Sequence, residues 1–109
     1  MNLTRKTSIE LTRENWGELA ERGCSKEGLD WSKYAEEPLN LCWLCEYDKR
    51  QGEKYNNQEM CSYCPYYEKV GDCQHKNAPY CLWRDAINIE DKKIYAAQVL
   101  EQLEELWDG

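Results

Sequence analysis

The sequence is poor in several residue types, and each shortage excludes a class of site. Its 109 residues include one histidine, His75, and no phenylalanine. A lone histidine rules out the multi-histidine sets of catalytic zinc sites and leaves no second imidazole as a proton shuttle. No long apolar run occurs, so we expect no transmembrane helix.

Positive charge is also scarce. Fourteen Lys and Arg stand against 21 Asp and Glu, which gives a formal net charge of −7. A chain this acidic is repelled by phosphate backbones, so a protein with a basic surface is the favoured partner. Nucleic-acid binding would require the basic residues of the central region to gather on one face: Lys49, Arg50, Lys54, Lys69 and Lys76.

An apolar leader is missing as well. The first residues, Met1 to Lys6, lack the apolar segment of a secretory signal, so we expect a cytoplasmic protein. In that reducing compartment paired cysteines are more often metal ligands than disulfides. The odd number of cysteines, seven, also argues against a closed set of disulfides.

Four of the seven cysteines form two CxxC pairs. Cys42 and Cys45 make the first pair and Cys61 and Cys64 the second, with fifteen residues between the pairs. This spacing fits a four-cysteine structural zinc site, because each pair turns tightly enough to present two thiolates to one tetrahedral ion. We therefore predict structural Zn²⁺ held by Cys42, Cys45, Cys61 and Cys64.

The remaining donors are weaker candidates. Cys73 is the best substitute ligand, His75 and Cys81 rank below it, and Cys24 reads as a structural or free thiol. An iron–sulfur cluster needs the same thiolates and the spacing does not distinguish it, although zinc is favoured. A site closed by four thiolates has no open position for water, so we predict that the protein is not an enzyme.

Length and pattern predict a small, mainly α-helical protein with a single domain, residues 1–109. An N-terminal helix and connector occupy residues 1–41, the cysteine region residues 42–81, and an acidic helix residues 82–109. The helices are expected to pack around an irregular, zinc-stabilised cysteine region, for which a zinc-ribbon-like arrangement stays open.

The first helix is predicted from Thr7 to Arg22. Thr7 and Glu10 have the spacing of a capping box, and Gly23 supplies a stop. Gly17 weakens the middle of this helix, which suggests close packing there. Its apolar stripe consists of Ile9, Thr12, Trp16, Leu19 and Ala20.

Later segments alternate between loops and helices. Residues 46–60 read as a polar, solvent-facing loop and residues 65–73 as an irregular segment. Pro79 begins a short helix through about Ala86, with Ile87 one turn beyond Trp83. A longer helix follows from about Glu90 to Trp107, with an apolar stripe of Ala96, Val99, Leu100, Leu103, Leu106 and Trp107 and an acidic face of Glu101, Glu104, Glu105 and Asp108.

Taken together, these motifs resemble a family of short cysteine-rich proteins encoded by bacteriophages and prophages. The resemblance covers nearly the whole chain and is carried by Thr4-Arg5-Lys6, Trp16, Leu19-Ala20-Glu21, Trp31, Cys42 to Tyr47, Cys61 to Pro65, Cys73, and Ala78-Pro79-Tyr80 with Trp83. It implies a phage origin and a metal-bound core but no catalytic residue, because the family has no assigned activity. His75 and Cys81 have no fixed counterpart in that family.

The expected function is that of a phage accessory protein which binds and modulates or inhibits a host protein or defence complex. The alternative is a nucleic-acid-binding zinc module that uses the basic residues of the cysteine region, with Tyr63, Tyr66 and Tyr67 stacking on bases.

Overall fold

The structure is a computed structural model that describes residues 2–57, 59 and 61–106. Within these described residues five α-helices follow one another, and no residue lies in a β-strand. The helices are α1 (Arg5–Arg22), α2 (Trp43–Lys54), α3 (Pro65–Lys69), α4 (Pro79–Asp85) and α5 (Ile89–Glu105). Two 3₁₀ turns, Lys26–Gly28 and Leu39–Leu41, interrupt the connector between α1 and α2. The prediction of a mainly helical fold is therefore confirmed.

Helix α1 begins two residues earlier than predicted because its cap is Thr4, and the capping box at Thr7 is wrong. The Thr4 hydroxyl accepts a hydrogen bond from the Thr7 amide at 3.1 Å. At the other end Gly23, with φ of 68°, donates its amide to the Leu19 carbonyl, as the predicted stop requires. The predicted inner face is confirmed at Ile9, Thr12, Trp16 and Leu19, which are all buried.

The inference of close packing at Gly17 is wrong. A Cβ atom placed on Gly17 would have no non-local neighbour within 4 Å. Close approach occurs instead at Gly23, where a Cβ would come within 2.6 Å of the Ile89 Cγ2 atom. The glycine at the end of α1, rather than the one in its middle, lets α5 start beside it.

The core lies between α1, α4 and α5. Helix α1 packs mainly on α5, α4 packs on α5, and α2 lies against α1. Trp16 of α1 meets Trp83 of α4 edge to face, with 4.8 Å between ring centroids. The most deeply buried apolar side chains of this core are Ile9, Leu19, Ala96, Leu103 and Leu106.

The predicted loop over residues 46–60 is wrong for residues 46–54, which belong to α2, whereas the described residues 55–57 and 59 that follow are not helical. The apolar residues of α2 lie only in its first turn, where Trp43 and Leu44 are buried. Glu46, also in this first turn, is buried as well, and its carboxylate accepts a hydrogen bond from the Leu39 amide outside the helix. A search for apolar periodicity misses such a helix, because tertiary contacts rather than an apolar stripe hold its second half.

Residues 65–69 were also predicted to be irregular, and this is wrong. Pro65 occupies the first turn of α3, where its missing amide costs nothing, and Tyr66 of α3 is buried. The Tyr66 hydroxyl is hydrogen-bonded to the Gln102 side chain of α5. This contact fixes α3, and the cysteine before it, against the core.

The two C-terminal helices were predicted correctly in kind and position. Pro79 starts α4, and Asn88 caps α5 by accepting a hydrogen bond from the Asp91 amide at 2.8 Å. Ala96, Val99, Leu103 and Leu106 form the buried stripe, while Trp107 and Asp108 fall outside the described residues. Ile87, expected to continue the stripe of α4, is 97% exposed. In the described part of the chain, no helix is both long and apolar enough to span a bilayer.

Candidate metal centre

The first cysteine pair lies at the N-terminus of α2 and not in a loop. Cys42 is the N-cap residue and Cys45 lies in the first turn. The Cys42 carbonyl already accepts the amide of Glu46 at 3.0 Å, so the helix fixes the relative position of the two thiols. A helix N-terminus favours negative charge, which makes this a suitable place for a thiolate.

The electrostatics of Cys42 and Cys45 also favour a thiolate at this position. A hydrogen bond from the Cys45 thiol outweighs burial and, together with nearby Lys26 and the first amides of α2, lowers the pKa of Cys42 below its ordinary value. The pKa of Cys45 is raised by the same hydrogen bond, because its thiol is the donor to Cys42. The hydrogen bond therefore favours the thiolate at Cys42 and the thiol at Cys45.

The second pair is shaped by a residue that sequence reasoning missed. Asp48 of α2 accepts two backbone hydrogen bonds, from the Cys61 amide at 3.0 Å and from the Tyr63 amide at 2.7 Å. Cys61 has a left-handed backbone with φ of 68°, and this carboxylate satisfies the amides that the turn exposes. Asp48 was predicted to lie in a solvent-facing loop. The signal that could have identified it from the sequence is its position three residues after Cys45.

Cys64 and Cys73 complete the group from two further segments. Cys64 is buried as the N-cap of α3, and burial raises the pKa of its thiol to about 12. Cys73 follows the end of α3 and is half-buried, and burial raises its pKa to about 11. Both therefore remain protonated thiols at neutral pH until a metal displaces the proton.

The weaker candidates lie elsewhere. The Cys81 thiol is buried and donates to the Cys73 carbonyl at 3.4 Å, so it supports the chain at Cys73. His75 is exposed, and its Nδ1 atom accepts a hydrogen bond from the Asn77 amide at 3.3 Å. Cys24 is half-buried beside Gly28.

A cavity of about 630 Å³ brings together three of the four CxxC cysteines and Cys73. Cys42, Cys45, Cys64 and Cys73 are in its wall, whereas Cys61 is not. The apolar part of the wall includes Trp16, Tyr80 and Trp83. Among the described His, Cys, Asp and Glu side chains, no group of three is placed so that it could hold a metal ion. The zinc site built on Cys42, Cys45, Cys61 and Cys64 therefore stays a prediction.

Lys26 is a buried, charged residue of the cavity wall that the sequence did not single out. It is 8% exposed, and its ammonium group lies 4.9 Å from the centroid of the Tyr80 ring and 5.8 Å from that of Trp16. It also donates to the Asn40 carbonyl at 3.4 Å. A buried ammonium is expensive unless negative charge faces it, which suits a cavity lined by thiols that lose their protons to a metal.

The fold and the cavity define a small helical, cysteine-rich protein in which four of the seven cysteines line one cavity. Compared with known proteins, the chain matches no family model, no curated sequence and no solved structure. The resemblance to cysteine-rich phage proteins therefore stays a prediction.

Proposed function

We propose that this protein is a non-enzymatic, metal-binding accessory factor of phage type, which docks on a basic surface of a host protein or defence complex and modulates or inhibits it. Its metal is bound by thiolates, with Zn²⁺ as the expected ion, and stabilises the fold. The observation that carries the proposal is the acidic outer face of α5. The inner face of this helix contributes to the wall of the cysteine-lined cavity.

The outer face of α5 is built from carboxylates that do nothing for the helix itself. Glu101, Glu104 and Glu105 are exposed, and the last turn contains no basic residue. Negative charge at a helix C-terminus opposes the helix dipole and costs a few tenths of a kcal/mol to about 1 kcal/mol. Solubility or recognition of a basic surface explains such a face, and helix stability does not.

Several basic side chains form ion pairs within the molecule. Arg50, counted above among the residues that nucleic acid would need, forms ion pairs at 2.8 Å with both Glu46 and Glu36. Lys33 pairs with Glu14 and Arg22 with Glu18, each at 3.2 Å. Such pairs neutralise positive charge locally and leave the acidic face of α5 as the stronger electrostatic feature.

The test reverses the charge of that face without disturbing α1. Glu101→Lys and Glu105→Lys are changed together, and Glu104 is kept because its carboxylate lies 3.9 Å from the Arg13 guanidinium. The partner is first identified by affinity capture with the unaltered protein. Association of the double variant with that partner should slow at least about tenfold and lose most of its salt dependence, because exposed charges act mainly by steering.

The matched control reverses two exposed lysines of α2, Lys49→Glu and Lys54→Glu. These changes should leave the association rate unchanged or slightly increase it. Equal binding by the acidic-face variant and the unaltered protein at low salt would refute the proposed docking face.

One observation favours the alternative, a nucleic-acid-binding module. Tyr55 is 59% exposed, its ring centroid lies 5.9 Å from that of Tyr63, and the Lys54 ammonium lies 5.3 Å above it. An aromatic pair with a lysine is a platform on which a base can stack. Tyr66, expected to take part, is 5% exposed and cannot stack on a base. If this alternative is right, Tyr55→Ala and the lysine reversal should abolish binding to single-stranded nucleic acid.

A further inference from the structure

Part of the cavity wall is an aromatic cluster formed by Trp16, Tyr80 and Trp83. The centroids of these rings lie 4.8 Å apart for Trp16 and Trp83 and 5.9 Å apart for each of the other two pairs. Two ammonium groups lie against the cluster, that of Lys26 at 4.9 Å from the Tyr80 centroid and that of Lys92 at 4.7 Å from the Trp83 centroid. Flat apolar rings beside positive charge suit a ligand with a flat apolar body and a negative charge.

The charge of the cavity wall is opposite to that of the chain. The chain contains more acidic than basic residues, 21 against 14, whereas the wall contains three basic residues and one acidic residue: Lys26, Arg84, Lys92 and Glu27. Arg84 is exposed and pairs with Asp85 at 3.1 Å, so its charge is neutralised nearby. Neither Lys26 nor Lys92 forms an ion pair with any described residue, and their recorded hydrogen bonds go to backbone carbonyls. Two positive charges of the wall therefore lack a carboxylate in the described part of the chain.

Two buried groups of the wall have N–H donors without a described acceptor. Lys26 is 8% exposed and has three N–H donors, and its one described acceptor is the Asn40 carbonyl at 3.4 Å. Ring faces attract an ammonium but are weak hydrogen-bond acceptors. Trp83 is 4% exposed, and its indole N–H donates no hydrogen bond to any described residue. Buried donors without acceptors cost free energy, so this wall favours a ligand that brings acceptor oxygens.

We propose that the cavity is a binding site for a small aromatic carboxylate. The carboxylate accepts a hydrogen bond from Lys26, the Trp83 N–H is a second donor to the ligand, and the ring of the ligand packs on the aromatic cluster. A carboxylate fits better than a phosphate ester, because it has fewer oxygens to satisfy and the buried donors are few. The volume of about 630 Å³ is within the range of small-molecule sites. This site goes beyond the proposed function and depends on neither the metal nor the docking face.

The experiment is isothermal titration calorimetry of the full chain with cinnamate, its uncharged analogue cinnamamide, and phenyl phosphate. Cinnamate should bind at least about tenfold more tightly than cinnamamide, because a hydrogen bond between an ammonium and a carboxylate is about twice as strong as a neutral one. Cinnamate should also bind more tightly than phenyl phosphate. These comparisons use the unaltered protein and need no variant.

Variants then locate the site. Lys26→Met removes the charge but keeps an unbranched side chain, and should weaken cinnamate binding about tenfold, whereas Lys26→Arg keeps the charge and should lose less affinity. Trp83→Phe keeps an aromatic ring but removes the donor, and should weaken binding about fivefold. The matched control is Lys49→Met, which changes an exposed lysine of α2 outside the wall and should leave the affinity unchanged.

Three results would overturn this inference. Cinnamate that does not bind, or binds no more tightly than cinnamamide, would refute an anion site. Tighter binding of phenyl phosphate than of cinnamate would refute the carboxylate as its ligand. Unchanged cinnamate affinity in Lys26→Met and Trp83→Phe, in samples with the helical circular dichroism of the folded protein, would refute the location in this cavity. Each of these results leaves the docking face to its own test, the charge reversal on α5.

Discussion

Single residues tie the segments of this protein together where apolar contacts are few, and Glu46 shows how. Its carboxylate accepts hydrogen bonds from the Leu39 amide at 3.0 Å and from the Arg50 Nε atom at 2.8 Å. Arg50 in turn reaches Glu36. The buried carboxylate therefore fastens the connector between α1 and α2 to the helix that carries Cys42 and Cys45.

Replacing Glu46 should give a pH-dependent loss of stability. Burial alone would raise the pKa of Glu46, but the hydrogen bonds from Arg50 and the Leu39 amide outweigh it and lower the pKa. A lowered folded pKa contributes stability that is present above the unfolded carboxyl value and is lost as pH falls through the folded one. Glu46→Gln should cost about 1–3 kcal/mol at pH 7, because it weakens hydrogen bonds to a charged group.

Chemical denaturation of both proteins at pH 7 and pH 3 measures this. The difference between them should shrink toward the lower pH, because protonation of the Glu46 carboxylate removes the charge that distinguishes it from glutamine. Glu53→Gln is the control, since Glu53 is exposed on the same helix and should change the free energy of unfolding by less than about 0.5 kcal/mol. A Glu46→Gln cost that is equal at both pH values would show that the carboxylate's charge is not involved.

At the scale of the elements, the cap observed at the start of α1 differs from the one that the capping-box rule predicts. Thr4 accepts the Thr7 amide, whereas the predicted cap was Thr7 itself. Thr4→Ala should therefore cost about 1 kcal/mol, typical of a lost N-cap, and lower the melting temperature by about 4 °C or more. Thr7→Ala should cost clearly less. Thermal melts of the two variants measure this difference. A larger loss of stability in Thr7→Ala than in Thr4→Ala would show that Thr7 is the cap after all.

Substitution by alanine should change the free energy of unfolding in opposite directions at Gly17, in the middle of α1, and at Gly23, at its end. Gly17→Ala should raise the free energy of unfolding by about 0.5–1 kcal/mol, because a helix interior favours alanine and a Cβ there meets nothing. Gly23→Ala should lower it by more than about 1 kcal/mol, because φ is 68° and the Cβ would collide with Ile89. Loss of stability in Gly17→Ala would mean that a partner or a second copy covers that turn.

At the scale of the whole molecule, the helices fall into two groups that should respond differently to metal removal. Helices α1, α4 and α5 pack on one another through apolar side chains. Helices α2 and α3 have fewer such contacts and carry three of the four proposed ligands at their starts.

Chelation should therefore abolish amide protection in α2 and α3 first, because local stability follows local contacts and the metal supplies theirs. Hydrogen exchange with detection by peptide should show protection retained in the buried turns of α1 and α5 at chelator concentrations that expose residues 42–73. Simultaneous loss along the whole chain would show that the metal stabilises a single cooperative unit.

The sequence by itself determined α1, α4 and α5. Each has an apolar stripe and a local signal at its end or start: Gly23 after α1, Pro79 in α4 and Asn88 before α5. Such signals act between residues three or four apart, so they can be read without the fold. The pairing of cysteines into CxxC motifs is local in the same way, and the zinc site that it predicts stays a prediction.

Only the tertiary structure decided that residues 46–54 are helical and which cysteines line the cavity. Helix α2 depends on Glu46 binding Leu39, and the second pair depends on Asp48, thirteen residues before Cys61. Cys73 reaches the cavity because α3 is held to α5 through Tyr66 and Gln102, which are 36 residues apart. Contacts over such separations leave no periodic trace in a sequence, since periodicity records neighbours along one element and not the side chains that folding brings together.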